Sequence, residues 1–269
     1  ELADKLQYPW GMAFLPEGGI LITERGGKIV QITSDGEKFY HTPPLPVTTQ
    51  GQGGLLDIAL HPSFTQNRYV YVTFVVSEDG GLRTALARLR FINGKFDAPE
   101  RLWTMKSKST TAIHFGSRIA FAPDGMLYLS TGDRNKREFA RMSGEDAGKL
   151  LRLTDTGKPA PGNPFLQNKA YLPEIYSLGH RNIQGLAINS KTGEVWLTEH
   201  GPKGGDELNL IKAGADYGWP LVSFGVEYSG AIISQTPYAP GVTPPVLHWT
   251  PSIAPSGLAF YYGDAFPAW

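Results

Sequence analysis

The sequence has no cysteine, no net charge and no long apolar run, and each absence closes off a class of protein. Without Cys there can be no disulfide, Cys-ligated zinc or iron–sulfur cluster, so any metal must be held by oxygen or imidazole. Lys and Arg number 25 and Asp and Glu number 25, which leaves no broad electrostatic footprint for nucleic acid or an anionic membrane. No stretch approaches the roughly 20 apolar residues of a spanning helix, so membrane insertion is not expected. Helical periodicity is scarce too, and only the residues around 136–151, from Lys136-Arg137-Glu138 onward, read as locally helical. The chain begins at Glu1 with neither Met nor an apolar leader. That gives the expectation of a processed N-terminus, a removed signal peptide and a soluble protein of the periplasm or the exterior.

What the chain does have is 32 Gly, 21 Pro and 12% aromatic residues, a composition suited to many short strands joined by tight turns. Residues 9–32 contain three strand-length apolar runs separated by Gly-rich turns, most of one propeller blade. The pattern returns at Gly54–Pro62 with Tyr69–Phe74, at Ser117–Leu129, at Gly185–Ile188 with Thr192–Leu197, and at Gly257–Phe260. Alanines 13, 59, 120, 187 and 259 mark the same place in each copy. A small residue between two large apolar ones suits an inner strand, because inner strands converge on the propeller axis and leave little room. An immunoglobulin-like sandwich would require these five recurrences to be accidental. The copies are unevenly spaced, each further apart than a bare blade of about 40–45 residues, so the excess is expected in loops. The candidates are 40–53, 76–83, 104–114, 133–147, 155–175 and 201–248, and long loops on a rigid scaffold commonly carry binding or catalysis.

Blades repeat with one polarity, so the polar residues just ahead of each inner strand should meet at one end of the axis. These are Gln52, His114, Arg181 and Asn182. Asp133 ends the strand-like run 126–132, which neighbours the His114 strand. It could accept the imidazole N–H and fix the tautomer, as a general base requires, or it could serve only as a turn residue before Arg134-Asn135. Gly201-Pro202 can turn backbone carbonyls toward the same place, and carbonyl oxygens are hard ligands of the kind Ca²⁺ prefers. Gly51-Gln52-Gly53-Gly54 lacks the strand–helix context of a dinucleotide site, and no Gly-x-Ser-x-Gly, His-Glu-x-x-His or EF-hand loop is present.

At Gly51–Leu56, His114–Arg118, Gly179–Gly185, Glu199–Pro202 with Gly205–Asn209, and Tyr217–Pro220, the chain resembles the soluble quinoprotein aldose sugar dehydrogenases. The resemblance implies a single six-bladed β-propeller over 1–269, with pyrroloquinoline quinone (PQQ) flat over the axial channel and Ca²⁺ beside it. In that picture His114 takes the proton of the sugar's anomeric hydroxyl while the C1 hydride passes to PQQ. Asp133 orients His114, and Gln52 helps to place the hydroxyl. Arg181 and Asn182 sit against the quinone oxygens, Gly201 and Pro202 give carbonyls to Ca²⁺, and Glu207 and Tyr217 give carbonyls to a second calcium. The implied partners are aldose sugars and an external electron acceptor, for a monomer or homodimer. Ile113 stands where the glucose-specific branch has an acidic residue, which implies a broader aldose site. The chain stops at Trp269, so the rest of the fifth blade and a sixth, with a Lys and two Arg that grip the PQQ carboxylates, are expected to be missing. Two other functions remain open from the residues. One is a Ca²⁺-dependent propeller lactonase or esterase, which would need inward carboxylate or Asn ligands. The other is a non-catalytic sugar- or protein-binding propeller, with Trp10, Trp103, Trp219 and Trp249 as contact surfaces in place of blade packing.

Overall fold

A computed structural model describes residues 4–266, so Glu1 and Trp269, on which the expectations of a processed start and a truncated end turned, lie outside the described residues. Among those residues the strands form four antiparallel sheets. The first is β1 (Pro9–Phe14), β2 (Ile20–Glu24), β3 (Lys28–Ile32) and β4 (Lys38–His41). The second is β5 (Leu55–Leu60), β6 (Tyr69–Glu78), β7 (Gly81–Ile92), β8 (Lys95–Phe96) and β9 (Glu100–Thr104), with one helical turn, α1 (Phe64–Asn67), after β5. The third is β10 (Gly116–Phe121), β11 (Leu127–Thr131), β12 (Lys149–Leu153) and β13 (Ile175–Leu178), and the fourth β14 (Ile183–Ile188), β15 (Val195–Glu199), β16 (Asp206–Ile211) and β17 (Leu247–Trp249).

The first strands of the sheets pack side by side, β1 on β5, β5 on β10 and β10 on β14, so they are the inner strands of four successive blades. Apolar faces close the spaces between blades. Leu21 and Ile29 meet Leu55 and Phe74, Tyr71 and Leu86 meet Leu129 and Leu151, and Leu150 meets Ile183 and Leu197. Every one of these eleven side chains is at most 1% exposed, and full burial of an aliphatic side chain contributes about 1.5–3 kcal/mol.

The inner strands come so close that β1 tolerates no side chain at Gly11. A Cβ there would lie 2.5 Å from Asp57 Oδ1 and 3.0 Å from Asp57 Cα on β5. Gly11→Ala is expected to cost about 1–3 kcal/mol by overpacking. Thermal unfolding checks this, and an unchanged midpoint would show that β1 and β5 can separate without loss.

Each inner strand also begins with a register shift against its second strand: between Pro9 and Met12, Leu55 and Ile58, Gly116 and Ile119, and Ile183 and Gly185. Such irregularities re-aim side chains, and here they recur at the end of the axis where Gln52, His114 and Arg181 precede their strands.

Three expectations are corrected. Among the described residues the blades number four, where six with the sixth largely missing were expected, because the fifth recurrence, Gly257–Phe260, forms no strand, and the residues after it, 261–266, supply no second strand to pair with it. That segment instead runs against β14, where a Cβ on Gly185 would meet Leu258 Cβ at 3.0 Å. Of the expected loops, 201–248 contains strand β16, and residues 76–83 are the tip of the β6–β7 hairpin. Asp79-Gly80, both at positive φ (49° and 75°), make the two-residue turn that matches strand twist. The helical reading of 136–151 shrinks to a 3₁₀ turn over Arg137–Arg141, and from Lys149 the chain is strand β12.

Candidate active site

His114 lies two residues ahead of β10 and is 8% exposed. Its φ of 55° is in the left-handed region, a conformation that non-glycine residues hold only when the surroundings fix it. Here two loops fix it. Its backbone N–H donates to Gln52 Oε1 at 2.8 Å, and its ring Nδ1 lies 2.7 Å from Asp133 Oδ1. With a carboxylate accepting at Nδ1, that nitrogen carries the proton and Nε2 keeps its lone pair. Asp133 is 1% exposed, and its second oxygen, Oδ2, accepts the indole N–H of Trp219 at 2.8 Å. Asp133 Oδ1 also accepts Asn135 N–H at 2.8 Å, so the same oxygen meets the imidazole and the turn. Gly132 makes this approach possible, since a Cβ there would fall 2.0 Å from the His114 carbonyl oxygen.

Arg134, fully buried behind the pair, stacks its guanidinium 3.7 Å from the Phe115 ring centroid. It donates to the carbonyls of Thr111, at 2.6 Å, and of Ile113, pinning the loop that ends in His114. Burial pushes its pKa down to about 10 while Asp133 opposes the drop.

Arg181 and Asn182 precede β14 as expected. The Arg181 backbone N–H donates to Glu199 Oε2 at 2.6 Å, and its Nη1 donates to the carbonyls of His200 at 3.1 Å and Gly201 at 2.8 Å. Asn182 Oδ1 accepts Gly116 N–H and the Gln184 amide, each at 3.2 Å. His180 is wholly buried, bonded to Glu199 Oε1 at 2.8 Å and to Ser177 Oγ at 2.8 Å, and lines no cavity with His114.

Three cavities meet around these residues. His114, Asp133, Arg181 and Trp219 line one of about 90 Å³. Gln52, Asn182, Arg25 and His200 line another of about 160 Å³ at the axial mouth. Gly201, Pro202, Glu207 and Tyr217 share a third, of about 20 Å³, with Glu199. Arg181, Trp219 and Pro202 line both the first and the third. The sequence-derived residues thus gather at one end of the inner strands, in adjoining compartments.

The donor set suits an anionic, oxygen-rich ligand at the axial mouth. Arg25 Nε is buried without a hydrogen-bond partner, and Arg25 lines this compartment with the Gln52, Asn182 and Gln184 amides. A cation suits the third compartment. Burial, then repulsion from Glu199, pushes Glu207 up to about 8, with the shared Asn209 amide (3.1 Å to Glu207 Oε2, 3.2 Å to Glu199 Oε1) opposing. The positive charge in this compartment is the Arg181 guanidinium, whose Nη1 is already spent on the His200 and Gly201 carbonyls. Among the described residues no three His, Asp or Glu side chains converge as a metal site, so carbonyls such as those of Gly201 and Pro202 would have to complete one. The Gly201 turn is braced by Asp206, which accepts Gly201 N–H at 2.9 Å and also bonds Ser252, Ile253 and Ala254. Burial works to raise the Asp206 pKa, but these hydrogen bonds outweigh it and hold the carboxylate low.

The glucose/sorbosone dehydrogenase family model matches residues 6–269. The chain belongs to that family. Aldose sugar dehydrogenase YliI of Escherichia coli is 40% identical over 275 residues, covering all of this chain and 74% of the relative. The crystal structure of the soluble aldose sugar dehydrogenase of Escherichia coli in its apo form superposes with a TM-score of 0.95 at 39% identity, covering 100% of this chain and 79% of that one. The PQQ-bound aldose sugar dehydrogenase of Streptomyces coelicolor gives 0.81 at 35% identity, covering 96% and 73%.

Several residues of the site escaped the sequence reading. Trp219, set down as a contact or packing residue, is the indole that holds Asp133, and Glu199 holds both His180 and Arg181. Both lie inside quoted motifs, Tyr217-Gly218-Trp219-Pro220 and Glu199-His200-Gly201-Pro202, and that was the available signal. Arg25 and Arg134 carry none, since their roles depend on which loops meet in space.

Proposed function

We propose that this protein oxidises the C1 hydroxyl of aldose sugars to the lactone, as a quinoprotein using PQQ and Ca²⁺. The observation that carries the reading is the Trp219–Asp133–His114 relay beside Arg181. It gives a base with its lone pair free at Nε2, a carboxylate to stabilise the imidazolium that forms, and a cation next to it. His114 Nε2 takes the hydroxyl proton, and Gln52 holds the His114 backbone so that the ring presents that face. Arg181 and Asn182 would hold the quinone, and Gly201 and Pro202 would offer carbonyls to Ca²⁺, with Glu207 and Tyr217 beside them. The chemistry supplied by the bound groups would be hydride acceptance by the quinone and Lewis-acid polarisation by Ca²⁺. An external electron acceptor would then be the second partner, and the place of action the periplasm or the exterior.

Supplied with PQQ and Ca²⁺, the protein is expected to bleach an artificial electron acceptor on addition of an aldose, and to lose that activity when PQQ is removed and EDTA added. Sugar oxidation that survived both treatments, or that required a nicotinamide, would overturn the assignment.

A further inference from the structure

We infer that the ion pair Arg137–Glu227 is a clasp over the His114 compartment that favours single sugar rings over longer saccharides. The substrate class rests on the function proposed above, whereas the clasp itself rests on geometry. Arg137 sits on the 3₁₀ turn of the β11–β12 loop and Glu227 in the β16–β17 loop, two segments far apart in sequence. They meet in a two-pronged contact, Nη1 to Oε1 at 2.6 Å and Nη2 to Oε2 at 3.2 Å, the fork-on-fork arrangement that fixes direction as well as distance.

Both residues line the same cavity as His114, Asp133 and Trp219. The Arg137 guanidinium lies 5.3 Å from the Trp219 ring centroid, over the indole that holds Asp133. Glu227 is held in turn by its own loop, with its N–H on Ala231 O at 2.9 Å and its carbonyl accepting Gly230 N–H at 2.8 Å. The pair therefore bridges two loops that each lead back to the relay. Tyr228, 73% exposed, stands next to it on the same cavity and offers an aromatic face to the C–H side of a pyranose.

With the clasp shut the ion pair and Tyr228 form part of the wall of the His114 compartment, so a sugar bound there meets them on that side. A reducing-end ring that brings its C1 hydroxyl to His114 must send any second ring out past the rim, and the ion pair has to open for it. The pair is partly exposed, with side chains 47% and 28% accessible, so it can open at modest cost and sets a preference and not an absolute barrier.

The test uses the full chain loaded with PQQ and Ca²⁺, as wild type, Glu227→Gln, and the charge-swapped double variant Arg137→Glu/Glu227→Arg. Glu227→Gln is expected to raise kcat/KM for maltose relative to glucose by about three- to fivefold, near the ceiling for an exposed ion pair, and the swap to return the ratio toward wild type. Amide hydrogen exchange, read without any sugar, is expected to quicken over 223–246 in Glu227→Gln and slow again in the swap. An active Glu227→Gln variant with an unchanged sugar ratio overturns the selectivity, and unchanged exchange overturns the clasp. A wild-type protein that oxidises neither sugar overturns the proposed reaction and the sugar selectivity with it, while the exchange result still decides whether the clasp exists.

Discussion

His114→Gln is expected to lower kcat for aldose oxidation by about 10²–10⁴-fold, the usual contribution of a positioned general base. Gln can keep the backbone bond to Gln52 Oε1, and its amide can still reach Asp133, so the loop and the indole contact of Trp219 should persist. What it cannot do is take a proton at the position of Nε2. Cofactor affinity should change little, because Arg181 and Asn182, proposed above to hold the quinone, are placed by bonds with backbone N–H groups, Arg181 N–H to Glu199 and Gly116 N–H to Asn182 Oδ1, that a change of the His114 side chain leaves intact. Steady-state kinetics across pH 6–9, with a separate titration of PQQ, measure both quantities. Near-normal kcat throughout would remove His114 from the role of base. His200 would then be the next residue to test, since it lines the axial mouth while His180 is sealed in the core.

Lys149→Met is expected to destabilise the protein by about 2–4 kcal/mol, since it removes three charge-assisted hydrogen bonds and leaves the Ala147 carbonyl without its donor, while Phe139 O and Ala140 O keep the N–H groups of Met142 and Gly179. Lys149 is 0% exposed, and its Nζ donates to Phe139 O at 2.6 Å, Ala140 O at 2.9 Å and Ala147 O at 2.9 Å. Burial pushes its pKa down to about 7 against the pull of Asp146 and Glu145. The three acceptors match the three protons of an ammonium group, so the side chain works as a staple that closes the 133–148 loop on β12. Loss of the staple frees the base of the loop that begins with Asp133 and carries Arg137 from β12 and leaves the Ala147 carbonyl without its donor. At this chain length the midpoint of thermal unfolding should fall on the order of 5–15 °C. A fall of less than two degrees would show that the loop closes without the lysine.

Much of the blade architecture was legible because it repeats. Ala13, Ala59, Ala120 and Ala187 all fall on inner strands, and the turn residues between the apolar runs marked off β2 and β3 of the first blade, though not β4. Ala259 has the same local sequence and no strand, because a strand exists only when another offers it hydrogen bonds, and the following residues do not. The β6–β7 hairpin was missed for the opposite reason: Asp79-Gly80 was counted as loop composition although that dipeptide is itself a hairpin signal. At the site, the polar residues ahead of the inner strands could be named from the repeat alone. The sequence could not say that Gln52 spends its amide oxygen on the His114 backbone, or that Arg181 already occupies the Gly201 carbonyl.

By itself, then, the sequence determined the inner strands, the polarity of the blades and the family motifs, since these follow from local periodicity and from residue types at fixed offsets. Only the tertiary structure decided the number of blades in this chain and the partners of Asp133, Arg134 and Lys149. It also decided the meeting of Arg137 with Glu227. Each of these is a contact between segments tens of residues apart, and its existence depends on how twisted sheets stack around an axis, which no local pattern encodes.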